Sequence, residues 1–143
     1  MQVERYNRDG MREDVERRVA EFFAGEPSTV AAVYLFGSVA RDAQRPDSDI
    51  DIAVLFDTPP AAELNSPRFA LEGELERVVG VPVDLVILND APADLRIRVL
   101  REGRLLIDRH RSARIAFEVR TRNEAFDLEP ILARYRAPVG IIR

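Results

Sequence analysis

Three short apolar runs set the limits on what this chain can fold into. TVAAVYLF (29–36), DIDIAVLF (49–56) and VPVDLVIL (81–88) are rich in β-branched residues and too short for buried helices, so they read as strands. The stretches around them repeat at helical spacing. A helix is predicted over about 10–24, with Val15, Val19, Phe22 and Phe23 on one face, stopped by Gly25 and Pro27. Another covers about 66–79, with Phe69, Leu71, Leu75, Val78 and Val79 apolar and Gly80 ending it. A third covers about 92–102. RLLID (104–108) reads as a short edge strand. A long amphipathic helix is expected over about 109–126, with Ile115, Phe117, Val119 and Phe126 as its apolar positions. A short last helix is expected from Pro130 to about Tyr135, and a loose tail from Ala137. Helices alternating with strands give an α/β (α+β) domain. At 143 residues the chain is the size of one domain, since domains run to roughly 150 residues.

The composition removes whole classes of chemistry. Cysteine is absent, which excludes disulfides, thiolate nucleophiles and cysteine zinc sites. All 21 basic residues are arginine, so no Schiff-base lysine and no phosphate-loop lysine is possible. One histidine, His110, cannot make a two-histidine metal site, and it reads as a surface helix residue between Arg109 and Arg111. No apolar run approaches the ~20 residues a membrane span needs, and MQVERYNRDG carries no apolar signal-peptide core. A cytoplasmic protein is expected. What remains for chemistry is Asp, Glu, Arg, Ser, Thr, Tyr and the backbone.

Charge is unevenly spread. Residues 1–95 hold 9 Arg and 19 acids, net −10, whereas residues 96–122 hold 9 Arg and 3 acids, net +6. A chain of net charge −4 lacks the cationic surface that direct nucleic-acid binding requires. The Arg-rich segment has two readings: a solvated helix face, or a docking surface for a nucleotide or an acidic partner.

The chemistry concentrates in one segment, Gly37-Ser38 followed by ten residues and then Asp49-Ile50-Asp51. Asp49 and Asp51 are two apart on a strand, so both carboxylates share a face while Ile50 and Ile52 point into the core. Two carboxylates side by side repel unless a cation lies between them. With oxygen ligands only, that cation is Mg²⁺ or Mn²⁺. Carboxylates bridging such ions serve in-line phosphoryl or nucleotidyl displacement. Asp84, alone among the apolar residues of VPVDLVIL, is the candidate third ligand, because burying it unpartnered would be costly. Gly37-Ser38 directly after a strand suits phosphate binding: glycine lets the backbone approach, serine adds a donor, and a helix starting there would favour anions. Arg41 would add positive charge beside the same phosphates. Asp47, Asp49 and Asp51 also mimic half of a calcium-binding EF-hand loop. That loop would need glycine at 52 and glutamate at 58, where the chain has Ile52 and Thr58.

Together these residues resemble the DNA polymerase β-like nucleotidyltransferase superfamily, whose signature is Gly-Ser, ten residues, then Asp-x-Asp. GSVARD, SDIDIAV and VDLV are similar to the minimal nucleotidyltransferase (MNT, MntA-type) group within it, and the likeness extends over about 28–136. One position departs: the residue after Arg41, commonly glycine, is Asp42, and it is expected to face solvent. The resemblance implies a small mixed β-sheet flanked by helices, as one nucleotidyltransferase domain over 1–143. Its catalytic core would span about 28–108 and its C-terminal helical segment about 109–136.

It further implies that Asp49 and Asp51 bind two Mg²⁺ and that Asp84 ligates the catalytic ion and helps deprotonate the attacking hydroxyl. Gly37 and Ser38 would hold the nucleotide phosphates, with Arg41 nearby. The implied reaction transfers AMP from ATP to a tyrosine hydroxyl of a HEPN-domain toxin, silencing it, so that the chain is the antitoxin of a hetero-oligomeric pair. Two other readings stay open: an antitoxin that neutralises by binding alone, and a nucleotidyltransferase acting on a small molecule of the aminoglycoside type.

Overall fold

A computed structural model of the chain describes residues 2–25, 29–37, 49–58 and 67–141, with side chains for 13–25, 29–37, 49–58 and 68–127. The elements run in the order α1 (Gln2–Gly25), β1 (Val30–Phe36), β2 (Ile50–Phe56), α2 (Pro67–Val79), β3 (Val83–Ile87), a 3-10 turn (Leu88–Asp90), α3 (Ala93–Glu102), β4 (Arg104–Asp108) and α4 (Arg111–Ile141). The four strands form one mixed sheet in the order β3-β2-β1-β4. β1 is antiparallel to both β2 and β4, and β2 is parallel to β3. This is the α/β architecture expected from the alternating helices and strands, with the small mixed sheet that the resemblance implied.

Each strand of the sheet's centre serves two cores. On one side, Ile50, Ile52, Val54 and Phe56 of β2 pack with Val83 and Leu85 of β3 against Val15, Val19 and Phe23 of α1 and Leu71, Leu75 and Val79 of α2. On the other side, Ala53 and Leu55 of β2 join Tyr34 and Phe36 of β1, Val99 of α3 and Phe117 of α4. The period-two alternation of DIDIAVLF assigns these faces. In β1 the alternation is interrupted by a register shift between Val30 and Ala32. The extra residue lets Val30 and Val33 share the first face while Ala31 and Ala32 both sit on the second.

The joints are made by specific groups. Gly80, at φ +84, takes the left-handed conformation that ends α2, and its N–H donates to Glu76 O at 2.8 Å. The Glu76 carboxylate accepts from the Val83 N–H at 3.1 Å, satisfying a donor on the outer edge of β3. Asn89 continues the sheet past β3: its Nδ2 donates to Phe56 O and its Oδ1 accepts from Phe56 N, each at 2.9 Å. His110 is only partly exposed. It precedes α4, with its N–H on Ala31 O at 3.1 Å and its ring paired to the Asp57 carboxylate, so it ties the end of β2 to the start of the helix.

Several expectations about the helices are corrected. α1 begins at Gln2, ahead of the expected position 10. α4 runs unbroken from Arg111 to Ile141, in place of two helices and a loose tail. Pro130 lacks the N–H that would bond to the Phe126 carbonyl, but the turns on either side remain helical. Of the apolar candidates on α4, only Phe117 is buried; Ile115, Val119 and Phe126 are exposed. The reason is angular. Ala113, Phe117 and Thr121 repeat every four residues and face the sheet, and a residue two positions away lies about 200° round the helix. Phe69 of α2, two positions before the buried Leu71, is exposed for the same reason, and Val78 is exposed as well.

The Arg-rich segment is engaged largely inside the fold. Arg96 bridges α3 to α4 through Glu124 at 2.5 Å. Arg114 holds both Asp108 (2.9 Å) and Glu118 (2.7 Å), and Arg104 reaches Glu16 of α1 at 3.2 Å. Among the described residues no helix is long and apolar enough to cross a membrane.

Candidate active site

The second face of the sheet is apolar at its centre and acidic at one end. Gly37 follows the last residue of β1, and β2 and β3 begin at that same end, because β1 is antiparallel to β2 and β2 is parallel to β3. The register then decides which side chains meet. Asp51 lies opposite Phe36 on one side and opposite Asp84 on the other. Residues paired across neighbouring strands point to the same face, so the carboxylates of Asp51 and Asp84 are neighbours. Asp49 stands one residue before β2, exposed, and on the same alternation as Asp51. The strand starts are locked together by the Ile50 N–H donating to Pro82 O at 3.0 Å.

Gly37 is buried and sits at φ +74. A Cβ there would lie 2.9 Å from Cγ and 3.3 Å from Cβ of Asp51. Only glycine permits the Asp51 carboxylate to rest against this backbone, and only glycine adopts the angle without strain. The Gly-Ser motif and the Asp-x-Asp motif, twelve positions apart in sequence, are therefore in direct contact through Gly37 and Asp51.

Asp84 is placed differently from expectation. It is not buried: β3 is an edge strand, its burial alternates, and the Asp84 side chain is 52% exposed. The cost of a buried lone carboxylate therefore does not arise. What marks Asp84 is its register opposite Asp51, and its partner is Arg68 of α2, whose guanidinium lies 3.7 Å from the Asp84 carboxylate and 3.6 Å from Glu72. Sequence reasoning did not single out Arg68. Nothing in its neighbourhood signals the role, because the pairing depends on α2 packing beside β3. Ser38, Arg41 and Asp42 lie outside the described residues.

The donor set is oxygen only, three carboxylates with no imidazole or thiolate, which suits a hard divalent cation such as magnesium. Among the described residues no three acidic or histidine side chains converge closely enough to enclose an ion. Asp49, Asp51 and Asp84 share a face and an end of the sheet, and Asp84 is drawn toward Arg68. The residues thus fit the group chemically, and Asp84 would have to turn from Arg68 to complete a three-ligand site.

The model of the polymerase beta nucleotidyltransferase family matches residues 18–112. The chain belongs to that family. It is 33% identical over 93 residues to the protein adenylyltransferase MntA of Shewanella oneidensis, a match covering 64% of this chain and 63% of that one. The chain spans about three fifths of the length of the curated relatives it matches. The fold is similar to that of a chain from a toxin–antitoxin crystal structure with AMP-PNP, at a TM-score of 0.67 and 25% identity, covering 90% of this chain and 98% of that one. A chain from a complex of a tri-AMPylated Shewanella oneidensis HEPN toxin with an MNT antitoxin has the same fold, at a TM-score of 0.62 and 23% identity, covering 92% and 99%.

Proposed function

We propose that this chain is a magnesium-dependent nucleotidyltransferase that moves AMP from ATP to a protein hydroxyl, a tyrosine of a HEPN-domain toxin, and so acts as the antitoxin of a hetero-oligomeric pair. The observation that carries this reading is the pairing of Asp51 with Asp84 across β2 and β3, with Asp51 lodged against Gly37. It is supported by the relative named as a protein adenylyltransferase and by the fold shared with a toxin–antitoxin chain crystallised with AMP-PNP.

The roles follow from position. Gly37, with Ser38 and Arg41 after it in the chain, would receive the triphosphate. Asp49 and Asp51 would hold two magnesium ions, with Asp84 as the third ligand. Bound magnesium would supply charge neutralisation of the triphosphate and of the leaving pyrophosphate. Asp84 stands at the outer side of the pair and would take the proton of the acceptor hydroxyl. The acceptor oxygen forms a bond to the α-phosphorus, the bond from that phosphorus to the β-phosphate oxygen breaks, and pyrophosphate leaves. The products are an AMP ester of the acceptor and pyrophosphate.

The test is incubation of the chain with α-labelled ATP, magnesium and the product of its neighbouring gene. Label on that product, lost in Asp49→Asn/Asp51→Asn, is the expected result. A tight complex without label would replace transfer by neutralisation through binding. Neither label nor complex would direct the search to small-molecule acceptors.

A further inference from the structure

Arg68 stands at the acidic end of the sheet, and neither motif explains it. It is the second residue of α2, and the helix's own electrostatics do not call for it there. The free N–H groups of a first turn favour acids and disfavour cations, and an arginine four residues before a glutamate is the weaker order of that pair. Its position is accounted for across the fold instead. Nη2 reaches the Asp84 carboxylate on β3 at 3.7 Å, while Nε reaches Glu72 at 3.6 Å. Both distances exceed that of a hydrogen bond. The guanidinium is therefore shared between two acids and locked to neither.

Building on the nucleotidyltransferase reading, we infer that Arg68 is a positioning residue that competes with the divalent cation for Asp84. Drawn toward Arg68, Asp84 does not converge with Asp49 and Asp51 into an ion-enclosing group among the described residues. Arg68 thereby neutralises one of three neighbouring acids until a cation takes it over.

Glu72 supplies the guanidinium's other position. Its Oε2 is buried without a hydrogen-bond partner among the described residues, a costly state for a carboxylate oxygen. When Asp84 turns to a cation, the released guanidinium closes onto Glu72 and satisfies that oxygen. The exchange replaces one ion pair by another. Exposure makes it easy: the Arg68 and Asp84 side chains are 45% and 52% exposed, so water screens their attraction, and a doubly charged ion outcompetes one guanidinium. Both residues line an open cleft of about 410 Å³ along the β3 edge, which leaves them room to part.

The test uses the full-length chain and Mn²⁺ alone, with binding followed by electron paramagnetic resonance. The wild-type chain should bind Mn²⁺ at a site lost in Asp49→Asn/Asp51→Asn. Arg68→Gln should tighten that site about two- to fivefold, the scale of an exposed ion pair. Removing any nearby positive charge would favour cations, so the decisive comparison is Arg68→Gln made in Asp84→Asn. There the gain should vanish, because Arg68 acts through Asp84. A second signature comes from Mg²⁺ added to the ¹⁵N-labelled chain. The Arg68 Nε–H signal, assigned by its loss in Arg68→Gln, should shift as the guanidinium moves to Glu72, and should stay fixed in Asp84→Asn. Where Asp84→Asn leaves no measurable Mn²⁺ binding, this signal decides alone. Unchanged Mn²⁺ affinity in Arg68→Gln, an equal gain with and without Asp84, or an unmoved Arg68 signal each overturns the assignment and leaves the metal site standing. Absence of a Mn²⁺ site that depends on Asp49 and Asp51 removes the metal-dependent reading beneath it, and the inference with it.

Discussion

The two faces of the sheet are built from the same strands and serve different ends. Under α1 and α2, Ile50, Ile52, Val54, Val83 and Leu85 are buried and wholly apolar. On the opposite face the same strands place Asp51 and Asp84 side by side, then Ala53, Leu55 and Val86. The first face is apolar along its whole length, whereas the second is apolar at its centre and carries like charges at its end. The difference teaches that a strand's alternation separates stability from chemistry one residue at a time.

The largest expected effect tests that separation on the acidic face. Asp51→Asn keeps the shape of the side chain and removes its charge. AMP transfer should fall by several kcal/mol of barrier, about 10³-fold, while the melting temperature stays close to that of wild type. The check is label transfer beside a thermal melt of the same sample. A marked drop in stability would mean that Asp51 is structural and that the faces are not separate.

The neighbour one position along should behave in the opposite way. Ile52→Ala deletes a fully buried side chain from the first core. The expected cost is about 2–5 kcal/mol in chemical denaturation. In the fraction that remains folded, transfer should be unchanged. Loss of transfer per folded molecule would show that the carboxylate face depends on the fine packing beneath it.

How much of this was legible in the sequence follows the same division. The strand faces could be read because period-two alternation is local, and the Gly37 and Asp51 positions because the spacing between their motifs is distinctive. Asp84 stands out in the sequence as a lone acid among apolar residues, which suggested burial; it is exposed instead, and a parallel register that no local pattern reveals sets it opposite Asp51. Arg68 and Asn89 were missed because their partners lie 16 and 33 residues away. The apolar residues of α4 were misjudged because a helix meeting a sheet along a single line, Ala113, Phe117 and Thr121, leaves its other apolar positions outside.

A third variant probes the contact between the motifs. Gly37→Ala forces a Cβ into the Asp51 carboxylate at a backbone angle that alanine avoids. The expected loss of stability is about 1–3 kcal/mol. Transfer should also fall in molecules that remain folded, since Asp51 must shift. An alanine variant with wild-type transfer would show that the close approach of Asp51 to Gly37 has no part in the chemistry.

The smallest effect sharpens the comparison at the centre of the second face. The Tyr34 hydroxyl is buried with no hydrogen-bond partner among the described residues, and burial, aided by nearby Glu118 and Asp108, pushes its ionisation well above the usual tyrosine range. An unpaired buried hydroxyl is destabilising, by about 1–3 kcal/mol for its desolvation. Tyr34→Phe should therefore leave stability unchanged or raise it by up to about 1 kcal/mol. The alkaline limb carries the sign. In the unfolded chain this tyrosine ionises near its ordinary value of 10.0, whereas in the fold it stays protonated. Above that pH the folded state binds the extra proton, so stability falls as pH rises. Tyr34→Phe should flatten that fall, measured as the difference in denaturation midpoint between neutral and alkaline solution. A steeper fall, or a loss of more than about 1 kcal/mol at neutral pH, would mean that the hydroxyl is paired and that this face is polar deeper into its core than the geometry shows.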